Sequence, residues 1–281
     1  MNDLSEIPFI VDHKAWYFFS VYYARENWPE LIVQINHFFR AGKDPFCACL
    51  ISFSEDKGER VDISLASSPD QENRKDEIDR FFLSFVEKFP STRKTSFPYG
   101  KAIWGNYPNN TLLWVRFRKI NVSDQYADFH SMSFRFALSL IENDTSPDTL
   151  FSVCLYLITK GLSCIEPDKQ KPALFDALHE VSIDFKNYGH VDSVKNLIAE
   201  HIDLQEICFV LASYWNENES EFSPELKTWL ANTKGITGDY GYNQYCSYIC
   251  KMFGLKGLHQ MMLLEPINIW YNSHKMRIEN E

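Results

Sequence analysis

Two pairs of cysteines pose the first chemical question. Cys47 and Cys49 lie two apart and Cys246 and Cys250 four apart, so together they offer four thiolates, the donor set of a tetrahedral zinc ion. The same spacings, on a strand and on a helix, also arise from small buried side chains, and free cysteine is among the most buried residue types. Structural zinc sites favour cysteine pairs joined by short loops, so no metal is expected here. His130 is the most suggestive of eight scattered histidines, none of which has a His-Glu-x-x-His spacing. In Asp128-Phe-His-Ser-Met-Ser, a helix start brings Asp, His and Ser close enough to line a cleft; a hydrogen-bonded helix-end histidine is the plainer alternative. No Gly-x-Ser-x-Gly, P-loop or Gly-x-Gly-x-x-Gly occurs, so hydrolase, NTPase and dinucleotide readings lack a motif.

The elements that must hold these residues divide the chain in two. Ala15 to Tyr23 is a nearly all-apolar, β-prone run and predicts a central strand. Asn27 and Pro29 open a helix with Leu31, Ile35 and Phe38 inward, ended by Gly42. Phe46 to Phe53 and Val61 to Leu65 predict a hairpin around a polar turn. A helix over about Glu72 to Phe89 carries Ile78, Phe81, Phe82, Phe85, Val86 and Phe89 on one face. Thr111 to Arg118 alternates as a strand, with Leu113, Val115 and Phe117 on one side and Trp114, Arg116 and Arg118 on the other.

From about Asp124 the pattern is helical only: a helix on Phe129, Met132, Phe136 and Leu140, and one from Ser146-Pro147 stopped by Gly161. Helices over Leu174 to Phe185, Val191 to Leu211 and Pro224 to Leu230 follow. A C-terminal pair closes the chain. Tyr242, Tyr245, Ile249, Met252 and Phe253 make an apolar face, Gly254 and Gly257 interrupt it, and Pro266 opens the last helix with Ile267, Trp270 and Tyr271. The expected class is α+β: a mostly antiparallel sheet with helices on one face (1–124), then an all-helical section (125–281), separate or merged into one core.

Net charge is −10 and no basic run interleaves with aromatics, so no nucleic-acid footprint is present. The 22 Phe, 14 Tyr and 7 Trp favour large buried or groove-lining surfaces. The N-terminus has neither a positive n-region nor an apolar h-region, and no apolar run reaches a membrane span. With seven irregularly placed cysteines, the expectation is a cytoplasmic protein with reduced thiols. Exposed aromatic surface would mean either a homodimer or only a groove.

Three segments, in order, resemble the small C-terminal elimination domain of class I lantibiotic dehydratases, the family of thiopeptide-type bacteriocin biosynthesis proteins. Trp16-Tyr-Phe-Phe-Ser-Val-Tyr-Tyr and Cys49-Leu-Ile-Ser-Phe-Ser through Val61-Asp-Ile-Ser-Leu resemble its opening strand and hairpin. Tyr126-Ala-Asp-Phe-His-Ser-Met-Ser resembles its Glu-x-Leu-Phe-His-x-Asp-Ser helix. Tyr245-Cys-Ser-Tyr-Ile-Cys-Lys-Met-Phe-Gly through Leu264-Glu-Pro and Trp270-Tyr resembles its closing Ser-Tyr-Ile-His-Met segment and last helix. The departures are chemical. Ser52, Asp62 and Ser64 stand where that family's hairpin arginines act on glutamyl esters, Cys250 stands at its proton-transfer histidine, and the Asn-Arg that follows is missing. A carboxylate leaving group loses its charge-assisted hydrogen bonds without them.

The stand-alone thiopeptide pyridine synthases of the same family share these departures. The resemblance therefore implies a formal [4+2] cycloaddition of two dehydroalanines in a precursor peptide, with loss of water and the leader, leaving a pyridine-centred macrocycle. Such a reaction needs a groove that brings two alkenes together, neutral donors for the amide that becomes the ring nitrogen, and a proton acceptor; it needs no cofactor. Tyr242, Gln244, Tyr245 and Ser247 supply neutral groups, and His130 and Arg135 come from a facing helix. Arg116 and Arg118 meet peptide carbonyls or an acidic leader. The partners implied are a ribosomal precursor peptide, with leader and azole/dehydroalanine core, and other enzymes of its pathway; no nucleic acid or membrane is implied. The alternatives are the glutamate-elimination half of a split dehydratase and a non-catalytic precursor-peptide-binding partner. The pyridine reading requires an open trough beside Tyr242–Ser247 with no arginines converging on it.

Overall fold

A computed structural model describes residues 7–11, 13–40, 46–54, 58–71, 73–92, 107–115, 124–141, 147–186, 203–253, 255 and 258–278. Its chain contacts group into two compact units, Met1–Thr145 and Ser146–Glu281. The first is the sheet with its helices and the second is entirely helical, the expected α+β order.

In the first unit the long strand β2 (Lys14–Tyr22) is central. Short β1 (Phe9–Val11) folds back against its start, Phe9 opposite Trp16, and β5 (Thr111–Trp114) pairs along the same edge, Trp114 opposite Phe19. On the other edge β4 (Arg60–Ser67) pairs with β2, and β3 (Ala48–Ser54) pairs with β4 to form the hairpin, all antiparallel. Both faces of β2 are buried, which explains why its sequence is apolar throughout instead of alternating.

On one face α1 (Trp28–Arg40) and α2 (Lys75–Lys88) pack. Phe19 meets Phe82 at 5.1 Å between ring centroids, Phe38 meets Phe81 at 4.5 Å, and Trp28 meets Phe53 at 4.7 Å. Ile78, Phe82, Phe85 and Val86 are the buried stripe of α2; Phe89, assigned to that stripe from sequence, is exposed at the helix end. The predicted stop at Gly42 and the strand positions after Val115 lie outside the described residues.

A third helix, α3 (Asp124–Ile141), lies along β3. Ser131 Oγ accepts a hydrogen bond from the Cys49 N–H at 3.2 Å, and Lys14 pairs with Asp128 at 3.1 Å. The first of these contacts satisfies the Cys49 N–H, a backbone donor that an open sheet edge would leave exposed for pairing.

The second unit holds α4 (Pro147–Ser163), α5 (Pro167–Lys186), α6 (Leu204–Trp215), α7 (Pro224–Tyr240), α8 (Tyr242–Met252) and α9 (Leu258–Ile278). Helix α4 is its axis, with Cys154, Leu157, Ile158 and Leu162 buried. Several boundaries differ from the sequence reading, among them the start of α5, which lies at Pro167 and not at Leu174. Gly161 does not stop α4; it is a notch in it, described below. Helix α6 is capped by Asp203, whose carboxylate accepts from the N–H groups of Gln205 and Glu206, and it runs on to Trp215, past the predicted end at Leu211; the positions predicted helical from Val191 to Ile202 lie outside the described residues. Helix α7 continues past Leu230 because Thr233, Ile236 and Thr237 extend the buried stripe of Leu226 and Trp229. Pro266 sits inside α9 instead of at its start. A proline there removes one helical hydrogen bond, a cost of ~3 kcal/mol, but Met261, Leu264, Ile267, Trp270 and Tyr271 are all buried along one continuous helix, which outweighs it.

Candidate functional site

Gly241 joins α7 to α8 with φ +82°, a conformation that glycine adopts without strain. A side chain there would also meet Asn243 Oδ1 at 2.9 Å. The tight junction turns α8 so that Tyr242, Tyr245, Cys246, Ile249 and Cys250 are buried in the helical unit. Tyr242, 2% exposed, donates its hydroxyl to the Ile158 carbonyl at 3.0 Å; Tyr245, 1% exposed, donates to the Leu157 carbonyl at 2.7 Å. Their rings lie 6.0 Å apart. Burial pushes both phenol pKa values well up, so both remain protonated, and both protons are committed to α4.

Tyr245 fits because residue 161 has no side chain. A Cβ on Gly161 would stand 2.3 Å from Tyr245 Cε1 and 2.6 Å from Cζ. The missing side chain at Gly161 is what lets this ring approach α4 so closely.

The other two candidates on α8 behave differently. Gln244 is exposed and Ser247 half-exposed, and three-residue spacing puts them on one outward face. Beside the helix start, a cleft of about 470 Å³ opens within the helical unit. Tyr242, Asn243 and Gly241 form one wall, Lys234 and Gly238 of α7 another, and Pro172 and Asp176 of α5 a third. No arginine lines it among the described residues.

The remaining candidates belong to the first unit. His130 is buried on α3, and burial holds its imidazole pKa well below the ordinary value, so it is neutral at neutral pH. Arg135 is exposed on the same helix with its guanidinium 4.4 Å over the Phe39 ring. Arg116 and Arg118 lie outside the described residues. The structure thus groups Tyr242 with Tyr245 and Gln244 with Ser247, while His130 and Arg135 share a helix of the other unit.

The cysteine pairs also separate, Cys47 and Cys49 in the first unit, Cys246 and Cys250 in the second. Burial pushes the thiols of Cys49 and Cys250 up to about 12, which keeps both protonated at neutral pH. Among the described residues no three His, Cys, Asp or Glu side chains converge to hold a metal ion, and no helix is long and apolar enough to cross a membrane.

One cluster joins the sequence-named Ser52, Asp62 and Ser64 to two residues that sequence reasoning missed, Ser20 and Arg60. On the sheet face opposite α1 and α2, Asp62 lies across from Ser20 on one side and Ser52 on the other. Asp62 Oδ1 accepts from Ser20 Oγ at 2.8 Å and from Arg60 Nε at 3.0 Å, both pairs largely buried. The alternation of Arg60, Asp62 and Ser64 along β4 is the signal that marks this polar face. Chemically, the positions of Ser52, Asp62 and Ser64 present a carboxylate and two hydroxyls, and the charge of Arg60 is already matched by Asp62.

The described fold matches a solved structure, the pyridine synthase TbtD from thiomuracin biosynthesis, with a TM-score of 0.72 over 92% of this chain and 98% of that one. Sequence identity is 13%, so the likeness is one of fold. No protein-family model matches the chain, and no curated protein matches it.

Proposed function

We propose that this chain is a thiopeptide tailoring enzyme that forms a central pyridine by formal [4+2] cycloaddition of two dehydroalanines in a leader-bearing precursor peptide, with loss of water and the leader. The observation that carries this reading is the fold correspondence with a pyridine synthase over nearly the full length of both chains. The polar sheet face supports it against glutamate elimination. A departing glutamate needs unpaired cations, and Asp62 adds a negative charge there while holding Arg60.

Chemistry divides the candidate residues into two roles. Tyr242 and Tyr245 have no proton to lend to a substrate amide and build the floor beneath α8. Gln244 and Ser247, on the open face of α8, are the neutral donors that polarise the amide which becomes the ring nitrogen. His130, buried and neutral on α3 of the first unit, is proposed as the proton acceptor from the sequence resemblance alone. Arg135 and, from sequence, Arg116 and Arg118 bind peptide carbonyls or the leader. Holding both alkenes in one groove supplies most of the rate, because orientation replaces a bimolecular encounter.

The test is incubation of the purified chain with a linear azole peptide that carries two dehydroalanines and its leader, followed by intact-mass analysis. Loss of leader amide plus water is the expected result. Loss of glutamate from a glutamylated peptide would establish elimination instead, and binding without a mass change would establish a presenting partner.

A further inference from the structure

The cleft beside Gly241 has a charge pattern that the proposed ring closure does not use. Asp176 on α5 and Lys234 on α7 both line it, and neither makes an ion pair with the other or with another described residue. Lys169, also in the wall, is already paired with Glu166 at 2.6 Å. Walls with one unmatched charge of each sign favour neither a simple anion nor a simple cation; they match a ligand that carries both.

The polar groups nearby are mostly spent. Thr237 Oγ1 donates to the Thr233 carbonyl at 3.0 Å, and Asn243 donates to Glu180. Gly238 is bare. A Cβ there would meet no atom within 4 Å, so a ligand chain can lie directly against the α7 backbone. At about 470 Å³ the cleft falls in the ~300–1,000 Å³ range of pockets that enclose small ligands. From Pro172 at its edge the surface of α5 continues one turn on to Phe175, 65% exposed, with the His179 ring stacked at 6.1 Å and Ile183 beyond. This ridge suits the apolar continuation of the same ligand.

The geometry points to a binding site for a short peptide segment that carries one acidic and one basic side chain, set against Lys234 and Asp176, with aromatic residues beside them on the Phe175 ridge. The inference takes from the proposed function only that the ligand is a peptide. Its test is a binding measurement that needs no turnover, so either idea can fail alone.

Four capped, fluorescein-labelled hexapeptides with a Phe-Phe core serve as probes: flanked by one Asp and one Lys, by two Asp, by two Lys, or by two Asn. Fluorescence anisotropy with the full chain should rank the mixed-charge probe about fivefold or more tighter than the others, as two exposed charge pairs allow. Gly238→Leu should abolish that binding while melting no lower than wild type, because the added side chain occupies the cleft and not the core. Asp176→Lys should transfer the preference to the two-Asp probe, a gain that misfolding cannot produce. Equal binding of the four probes, no binding by any, wild-type binding by Gly238→Leu, or an unchanged ranking in Asp176→Lys would each overturn the assignment.

Discussion

Replacing Gly161 by alanine should destabilise the helical unit, although alanine is the better helix former. The helix preference alone favours the substitution by about 1 kcal/mol. Against it, the new methyl would stand 2.3 Å from Tyr245 Cε1 and 2.6 Å from Cζ, separations that no packed pair of carbons tolerates. The ring cannot swing aside freely, because it is 1% exposed and its hydroxyl is bound to the Leu157 carbonyl at 2.7 Å. Overpacking costs about 1–3 kcal/mol, and a ring that shifts leaves a buried hydroxyl unbonded for about 1–3 kcal/mol more. After the helix gain is subtracted, the net loss is about 1–5 kcal/mol. Urea denaturation followed by circular dichroism reads this as a lowered midpoint. In a Tyr245→Leu background the obstacle is gone, so the same Gly161→Ala change should be neutral or stabilise by up to about 1 kcal/mol. An equal cost in both backgrounds, or a gain in the wild type, would refute the notch.

Three further predictions address other parts of the molecule. The unfolded chain protonates His130 near its ordinary value of 6.5, whereas the folded chain does not. The unfolded state therefore holds more protons, and stability should fall as pH drops below about 6.5, by up to about 1.4 kcal/mol per unit from this residue. His130→Gln should flatten the curve by that amount, measured as the difference in urea midpoints from pH 7 downward; parallel curves would contradict it. Ser91→Ala should cost about 1–3 kcal/mol, because Ser91 Oγ accepts from the Ala24 N–H and from Asn109 Nδ2 and also bonds Asn110 Oδ1, each at 2.9 Å; an unchanged denaturation midpoint would contradict it. Asp62→Ala should cost about 3 kcal/mol by leaving Arg60 largely buried without its carboxylate, whereas a paired Arg60→Met, Asp62→Leu variant should recover most of that loss in the same melts.

The sheet was legible because its strands obey rules that act locally. An apolar run at Ala15–Tyr23 demands burial on both faces, and the amphipathic stripe Ile78–Val86 demands a helix over it. The glycines and prolines of the helical unit misled for a tertiary reason. Gly161 reads as a stop until Tyr245, 84 positions later, needs its space, and Pro266 reads as a start until the buried face on both sides is seen. The candidate site shows the same limit. Tyr242 and Tyr245 stand at spacings that suit either a core stripe or a reactive face. Only the carbonyls of Ile158 and Leu157, 84 and 88 residues away, decide where their protons go. Asp62 stands out in the sequence, but its partners Arg60 and Ser20 do not, because the cluster needs the register of β2 against β4.

The most direct test of ring formation is the mass of the leader fragment released when the chain meets a linear, leader-bearing peptide with two dehydroalanines. Pyridine formation predicts a leader ending in a carboxamide, together with a core lighter by the leader amide and one water. A leader ending in a carboxylate, or a peptide that stays intact while it is bound, would contradict it.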